Sequence, residues 1–481
     1  MEALNQSAGA AGVPGSPLPA QRIDAAGHAH VDQRAVLALA LPLMANSAVQ
    51  IVLNLTDMWF LGRLSTDALA AVGAVQWLII AAVLLLGGSG MAVQTLAAHS
   101  HGARRYAHAG QAVWTALWTM ALVAPLFVLV GAARHLILAP FGFAPHVEQL
   151  AAQFWYPRMG GAFIGAAEWA LLGFYNGIGR PRVTLYITIL TTVANALLNQ
   201  LFIFDLGFGI AGSAWGTNVA QFLGLLAGIV LLLRGDYRHR YLSHRTWRPR
   251  AGRIWTQVKL GVPMGLSPAA DLIGFAIFQM MQTRLGSVDG AATQMVVMLT
   301  SLAYMPGWGI ALAGTTLVGQ SIGAGSREWA QHVGSRVILL AALYMGGIGV
   351  LIALVGPWIL PLFAGAHDAL SVAAVALGTR LLWFAAAYQM FDGLNIGSSM
   401  CLRGAGDVRV PAALVLPVAL LLFAPLAHAL TFAPGDGWVH FLPQYGYGAV
   451  GGWVAVLVYV VVLGSVLTLR WRSRAWQAIR L

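Results

Sequence analysis

The chain has 481 residues, of which 59% are hydrophobic and only 9% charged, against roughly 25% charged in soluble domains. A soluble fold has no means of hiding that much apolar surface, so a globular aqueous domain is excluded. The net charge of +11 does not indicate nucleic acid, because the basic residues alternate in density with the apolar segments instead of forming one patch.

In chain order, residues 1–34 are rich in Ala, Gly and Pro and lack an apolar run, which reads as a disordered tail and not a signal peptide. Segments near the length that spans a bilayer's hydrocarbon core follow: 35–61, 183–204, 210–233, 410–430 and 450–469 are clear examples, and the whole chain holds about twelve. With connections assigned to alternate sides, one side carries 22 Lys and Arg and the other five, namely Arg63, Arg134, Arg158, Arg284 and Arg380. This is the positive-inside pattern, with both termini cytoplasmic in a bacterial inner membrane. The expected fold is an all-α membrane protein of twelve transmembrane helices. Its divisions are a tail (1–34), a six-helix lobe (35–233), a basic linker (234–257), a second six-helix lobe (258–470) and a basic tail (471–481). The single cysteine, Cys401, rules out an intramolecular disulfide framework and reads as a small packing residue.

The two lobes repeat one another. An offset of 221 residues pairs Pro42 with Pro263, Arg63-Leu64 with Arg284-Leu285, Ala70-Ala71 with Ala291-Ala292, and Thr95-Leu96, Ser100 and Gly102-Ala103 with Thr316-Leu317, Ser321 and Gly323-Ala324. Further on, the run 176–181 resembles 403–407, and 209–212 resembles 448–451. Each half has an even number of helices, so the repeats are parallel, enclose a central cavity and suit alternating access.

Ionisable residues inside spans are costly and mark function. Asn46, Gln50, Asn54 and Asp57 share one face of the first helix; Thr184, Thr188, Thr191, Asn195 and Asn199 one face of the fifth; Ser267 and Asp271 one face of the seventh; Tyr388, Asp392, Asn395 and Ser399 one face of the tenth. Glu168 lies deep in the fourth helix, off the register of the others, and its role is open. The amides equally suit interhelical hydrogen bonding. The carboxylates, with no Lys or Arg expected at matching depth, must be protonated, hold a cation or face water. Clustered carboxyl oxygens suit a proton or a hard cation such as sodium.

These residues, in this order, resemble the multidrug and toxin extrusion (MATE) family from about residue 35 to 470. The likeness rests on Pro42 through Asp57-Met58-Trp59-Phe60-Leu61-Gly62, on Pro263 followed by Asp271, on Tyr388-Gln389-Met390-Phe391-Asp392, and on Leu402-Arg403-Gly404-Ala405-Gly406-Asp407. The NorM branch is the nearest pattern, although it usually has Glu where this chain has Asp271. The resemblance implies a C-lobe cation site at Asp271, Tyr388 and Asp392. A second ion or substrate site in the N-lobe would use Asp57, Asn54, Asn195, Asn199 and Thr217; another branch typically has Asp where Asn199 stands, which ranks this site second.

The expectation is a secondary antiporter, monomeric and not an enzyme. It would export organic, cationic compounds, drugs included, in exchange for sodium ions or protons. No cofactor, resident metal or nucleic acid is expected beyond sodium at the C-lobe site, and no Walker-type loop is present. A lipid-linked precursor flippase shares the two-lobe plan but would need cavity cations, and intramembrane Arg is expected to be nearly absent. A membrane enzyme would draw on His99, His101 and His108, which the pattern places on a solvated basic loop.

Overall fold

A computed structural model describes residues 18–25, 27–138, 145–363 and 369–479. Twelve long helices carry the chain back and forth: α1 (Gln33–Leu64), α2 (Thr66–Gly102), α3 (Tyr106–Ala132), α4 (Pro145–Gly177), α5 (Pro181–Asn199, continued by a π-helical turn Gln200–Asp205) and α6 (Gly209–Leu232) form the first lobe. The second is α7 (Ala251–Leu285), α8 (Ser287–Gly323), α9 (Arg327–Phe363), α10 (Ala369–Ala405), α11 (Arg409–Pro417, a π-helical turn Val418–Phe423, and Ala424–Thr431) and α12 (Gly448–Arg472). Among the described residues eleven of these are long and apolar enough to cross a membrane. The remaining one, α4, has the length but carries Glu148, Arg158 and Glu168. The protein is a multi-pass integral membrane protein.

Turns follow from local chemistry. Ser65 alone separates α1 from α2; its hydroxyl accepts from the Ala68 amide, and its own amide donates to Leu61 O. The two matched motifs 176–181 and 403–407 each turn on a glycine with positive φ, Gly179 (76°) and Gly406 (84°), a conformation that L side chains resist.

The lobes meet in one half of the molecule, the half that holds both termini. Every interlobe side-chain hydrogen bond among the described residues lies there. Gln94 Nε2 donates to Leu312 O and Thr316 Oγ1 (3.0 Å each), Thr95 Oγ1 to Arg403 O (3.0 Å), Gln257 Nε2 to Ser89 O (3.2 Å), Thr316 Oγ1 to Asn176 O (2.9 Å) and Gln320 Nε2 to Gly177 O (2.8 Å). Glycines allow the approach: a Cβ on Gly102 would sit 2.0 Å from Gln320 O, and one on Gly323 2.1 Å from His99 O. These two glycines are 221 residues apart in the chain, as are Gly88, which faces Gly261 and Gly265, and Gly309, which faces Leu43 and Met44. The duplicated landmarks are thus the two sides of one seal.

Four expectations need correcting. Residues 18–34 are not a disordered tail: Gln21–Ile23 and Ala29–Val31 pair as an antiparallel hairpin, Trp329 Nε1 donates to Pro19 O (2.8 Å), and Gln33 already belongs to α1. This hairpin is a small exception to the all-α expectation; residues 1–17 lie outside the described residues. The C-terminal tail is likewise packed, since Trp476, in the turn after α12, is buried and stacks on Trp471 at 4.8 Å, which removes both indole rings from solvent; Arg480 lies outside the described residues. Third, His99 is not on a solvated loop: it ends α2 inside the seal, with Nε2 2.7 Å from Gly404 O. Fourth, intramembrane Arg is present, as described below. The basic linker also docks, with Tyr241 buried beside His101 (3.0 Å) and its phenol pushed up to about 12 by burial.

Candidate functional site

In the second lobe four helices bring acids and phenols together beyond the seal. Asp271 lies twenty residues into α7, and Asp392 lies in α10, 8% exposed. The charge of Asp271 reaches Asp392, and both acids act on the Tyr304 hydroxyl from α8. Tyr459 on α12 donates a short hydrogen bond to Asp271 Oδ1, and Asn395 Nδ2 donates to Asp392 Oδ1 at 3.2 Å. Tyr388, one turn before Asp392, is half-buried with its ring 6.0 Å from Trp453. Ser267 stays out of this set, because its hydroxyl returns to Pro263 O (3.2 Å) on its own helix. No basic side chain bonds to either acid among the described residues, so this lobe holds two electrostatically linked carboxylates without a counter-ion. Such a pair holds a proton or a cation.

Tyr459 also stacks on Phe423 at 4.6 Å. Phe423 closes the π-helical turn of α11, just as the π-helical turn of α5 begins immediately after Asn199. Both lobes therefore unwind locally next to their acids, a placement common at functional sites.

The N-lobe residues expected from the stripes come together as a chain of bonds. Asn199 Nδ2 donates to Asp57 Oδ1 (2.6 Å) and to Asn195 Oδ1 (3.2 Å), Asn195 Nδ2 donates to Thr217 Oγ1 (3.2 Å), and Thr217 Oγ1 donates to Ser213 O (3.0 Å). Asn54 is not part of this set; it is exposed one turn earlier on α1. Glu168, buried, accepts from Thr191 Oγ1 at 2.7 Å.

Arg158 overturns the expectation that no cation lies at the depth of the acids. The charge pattern places it in a connection, but it sits in α4 next to Pro157, where Nη1 donates to Asn218 Oδ1 (2.7 Å) and Gln221 Oε1 (3.2 Å), and its charge acts on Asp57 and Glu168. Hydropathy treats a charge flanked by Pro and Gly as a span edge; only the polar face of α6 explains its burial. Arg403, also buried, donates Nη2 to Met264 O (3.2 Å) at the seal. Tyr459 stands alone among apolar neighbours, so a periodicity argument sees no stripe there, and Tyr304 gives no signal by itself because an isolated phenol carries no charge to mark.

The chain is similar over nearly its full length to curated proteins described as "Probable multidrug resistance protein NorM". The one from Mesorhizobium japonicum is 28% identical over 465 residues, with 92% of this chain and 94% of the relative covered. The one from Chromobacterium violaceum is 29% identical over 455 residues, with 91% and 93% covered. Among solved structures, "Crystal structure of MATE in complex with MaL6" matches with a TM-score of 0.80 at 21% identity, covering 92% of this chain and 97% of that one. "Outward-facing conformation of a multidrug resistance MATE family transporter of the MOP superfamily" matches at 0.78 and 21%, covering 92% and 96%. The likeness to these structures concerns the fold. The family model MatE matches residues 42–201 and 263–428, and with two six-helix lobes sealed at one end and acids beyond the seal, the chain belongs to this family of multidrug efflux transporters and is not an enzyme.

Proposed function

We propose that the protein is a monomeric secondary antiporter of the bacterial inner membrane, with both termini cytoplasmic, exporting organic cations in exchange for sodium ions or protons. The observation that carries this reading is the uncompensated pair Asp271 and Asp392 beyond the seal. Two carboxylates without a basic partner bind one positive charge at a time, so the coupling ion and a cationic substrate compete for the same place. Coupling further requires that the ion and the substrate favour opposite lobe orientations, because a ligand shifts an equilibrium only by its differential affinity for the two states. Tyr388 contributes a neutral oxygen. With the seal on the cytoplasmic side, the orientation described here is outward-facing.

The test is efflux of a fluorescent organic cation from proteoliposomes, with a sodium gradient and a pH gradient imposed separately. A response to at least one gradient is expected, and a response to neither refutes the antiport reading. A second expected outcome concerns Tyr459, whose hydroxyl orients Asp271. Tyr459→Phe removes a hydrogen bond to a charged group, worth about 1.5–3 kcal/mol. The concentration of driving ion for half-maximal efflux should then rise roughly tenfold or more, read from a titration of initial rates, with the maximal rate largely kept.

A further inference from the structure

The connection between the lobes carries charge that the transport reading does not use. Residues 234–259 hold eight Arg and Lys against one acid, Asp236, and among the described residues none of these cations forms an ion pair within 4.0 Å. The stretch is nevertheless held in place. Ser243 Oγ donates to Leu232 O (2.6 Å), Trp114 Nε1 on α3 to Ser243 O (2.9 Å), and Trp118 Nε1, one turn further along α3, to Trp247 O (2.7 Å). Gly110 lets the linker lie against this helix, since a Cβ there would be 2.4 Å from Tyr241 O. The linker thus follows α3 toward the membrane and reaches the point where residues 121–130 continue the helix without a polar side chain.

Two further observations meet at that point. Trp247 and Trp255 are 47% and 59% exposed, and below Trp118 the exposed residues Leu122, Leu126 and Leu129 form an apolar stripe on the same face of α3. Indole rings settle at the headgroup level of a bilayer, and a leucine stripe beneath them faces acyl chains. Arg245, Arg248 and Arg250 are exposed beside these rings. The charges of Arg105, Arg250 and Arg253 all reach His108 at the start of α3, so the cations converge from the linker, from α7 and from the turn before α3. Cations crowded without acids create a positive potential that draws an anion.

We propose that residues 245–253, together with Arg105, bind the anionic headgroup of a phospholipid in the leaflet on the side of the termini. A soluble anion would meet the same guanidinium groups but would leave the indoles and the leucine stripe uncovered. A phospholipid serves both, with its phosphate among the arginines and its chains along Leu122, Leu126 and Leu129. Basic clusters directly beside a membrane span recognise anionic lipids in this way. The bound headgroup offsets the repulsion among Arg105, Arg250 and Arg253 and holds the linker against the first lobe where α7 of the second begins. The site is independent of the coupling ion and of the exported compound.

Native mass spectrometry of the full-length protein in detergent, titrated with phosphatidylglycerol or with phosphatidylcholine of the same chains, tests it. Wild type should bind phosphatidylglycerol the more tightly, and less so as salt rises. Arg248→Gln/Arg250→Gln should weaken phosphatidylglycerol binding roughly tenfold or more and leave phosphatidylcholine binding unchanged. Arg336→Gln/Arg472→Gln, which removes the same charge from exposed positions elsewhere, should leave both near wild type. Arg245→Gln, with an expected loss of roughly fivefold, carries the comparison if the double variant fails to purify. Equal affinity of wild type for the two lipids, equal weakening by the two double variants, or displacement of phosphatidylglycerol by inorganic phosphate or a short DNA duplex at equal concentration overturns the proposal.

Discussion

Asp392→Asn should reduce gradient-driven efflux to the background of protein-free vesicles while the protein still inserts and purifies as a monodisperse species. Asn keeps the shape of the side chain and still meets Asn395, whose Nδ2 lies 3.2 Å from Oδ1 of the native acid, so the packing of α10 is preserved. What disappears is half of the negative charge that faces the incoming cation. The remaining acid, Asp271, is already engaged by Tyr459. One carboxylate so engaged no longer outbids water for a desolvated ion. Without ion binding no differential affinity remains to bias the two lobe orientations, and a ligand that binds both alike shifts nothing. Asp271→Asn should behave the same way. The measurement is initial efflux under a sodium gradient and under a pH gradient, normalised to reconstituted protein; wild-type rates from Asp392→Asn would remove the C-lobe pair from the mechanism.

The second large effect concerns the seal. Gly323→Val places branched carbon where a Cβ alone would lie 2.1 Å from His99 O, and Gly102→Val does the same against Gln320 O at 2.0 Å. Both contacts are backbone carbonyls on a packed helix, so neither neighbour is able to swing aside. Overpacking of this kind costs about 1–3 kcal/mol, and at about 1.4 kcal/mol per factor of ten that shifts the orientation equilibrium by roughly five- to a hundredfold. The cost falls only on the orientation in which the lobes touch at this end. Spin labels at positions 63 and 284, both exposed at the opposite end, report the outcome: in a background lacking Cys401 the Gly323→Val population should move to shorter label separations, and export should fall with it. An unchanged distance distribution would mean that these glycines serve insertion alone.

Much of this protein was legible in the linear order of residues. Spans, their alternation and the parallel duplication follow from hydropathy and the 221-residue register, since a bilayer requires runs near twenty residues and a repeat conserves its landmarks. The stripes on α1, α5 and α10 also placed Asp57, Asn195, Asn199, Tyr388 and Asp392 correctly on their helices, because a single helix imposes the 3.6-residue period on its own polar face. Contacts between helices obey no such period. Tyr459 reaches Asp271 across 188 residues of chain, and Arg158 is buried only because α6 presents Asn218 and Gln221 over Gly161 and Gly165. The same holds for the N-terminal hairpin, which is ordered by Trp329 some 310 residues away. Residue order alone specifies a duplicated twelve-helix membrane scaffold and the helix on which each acid sits. Which lobe has a built-in counter-ion among the described residues emerges from the packing of the helices, because the net charge of a buried site depends on every helix that borders it.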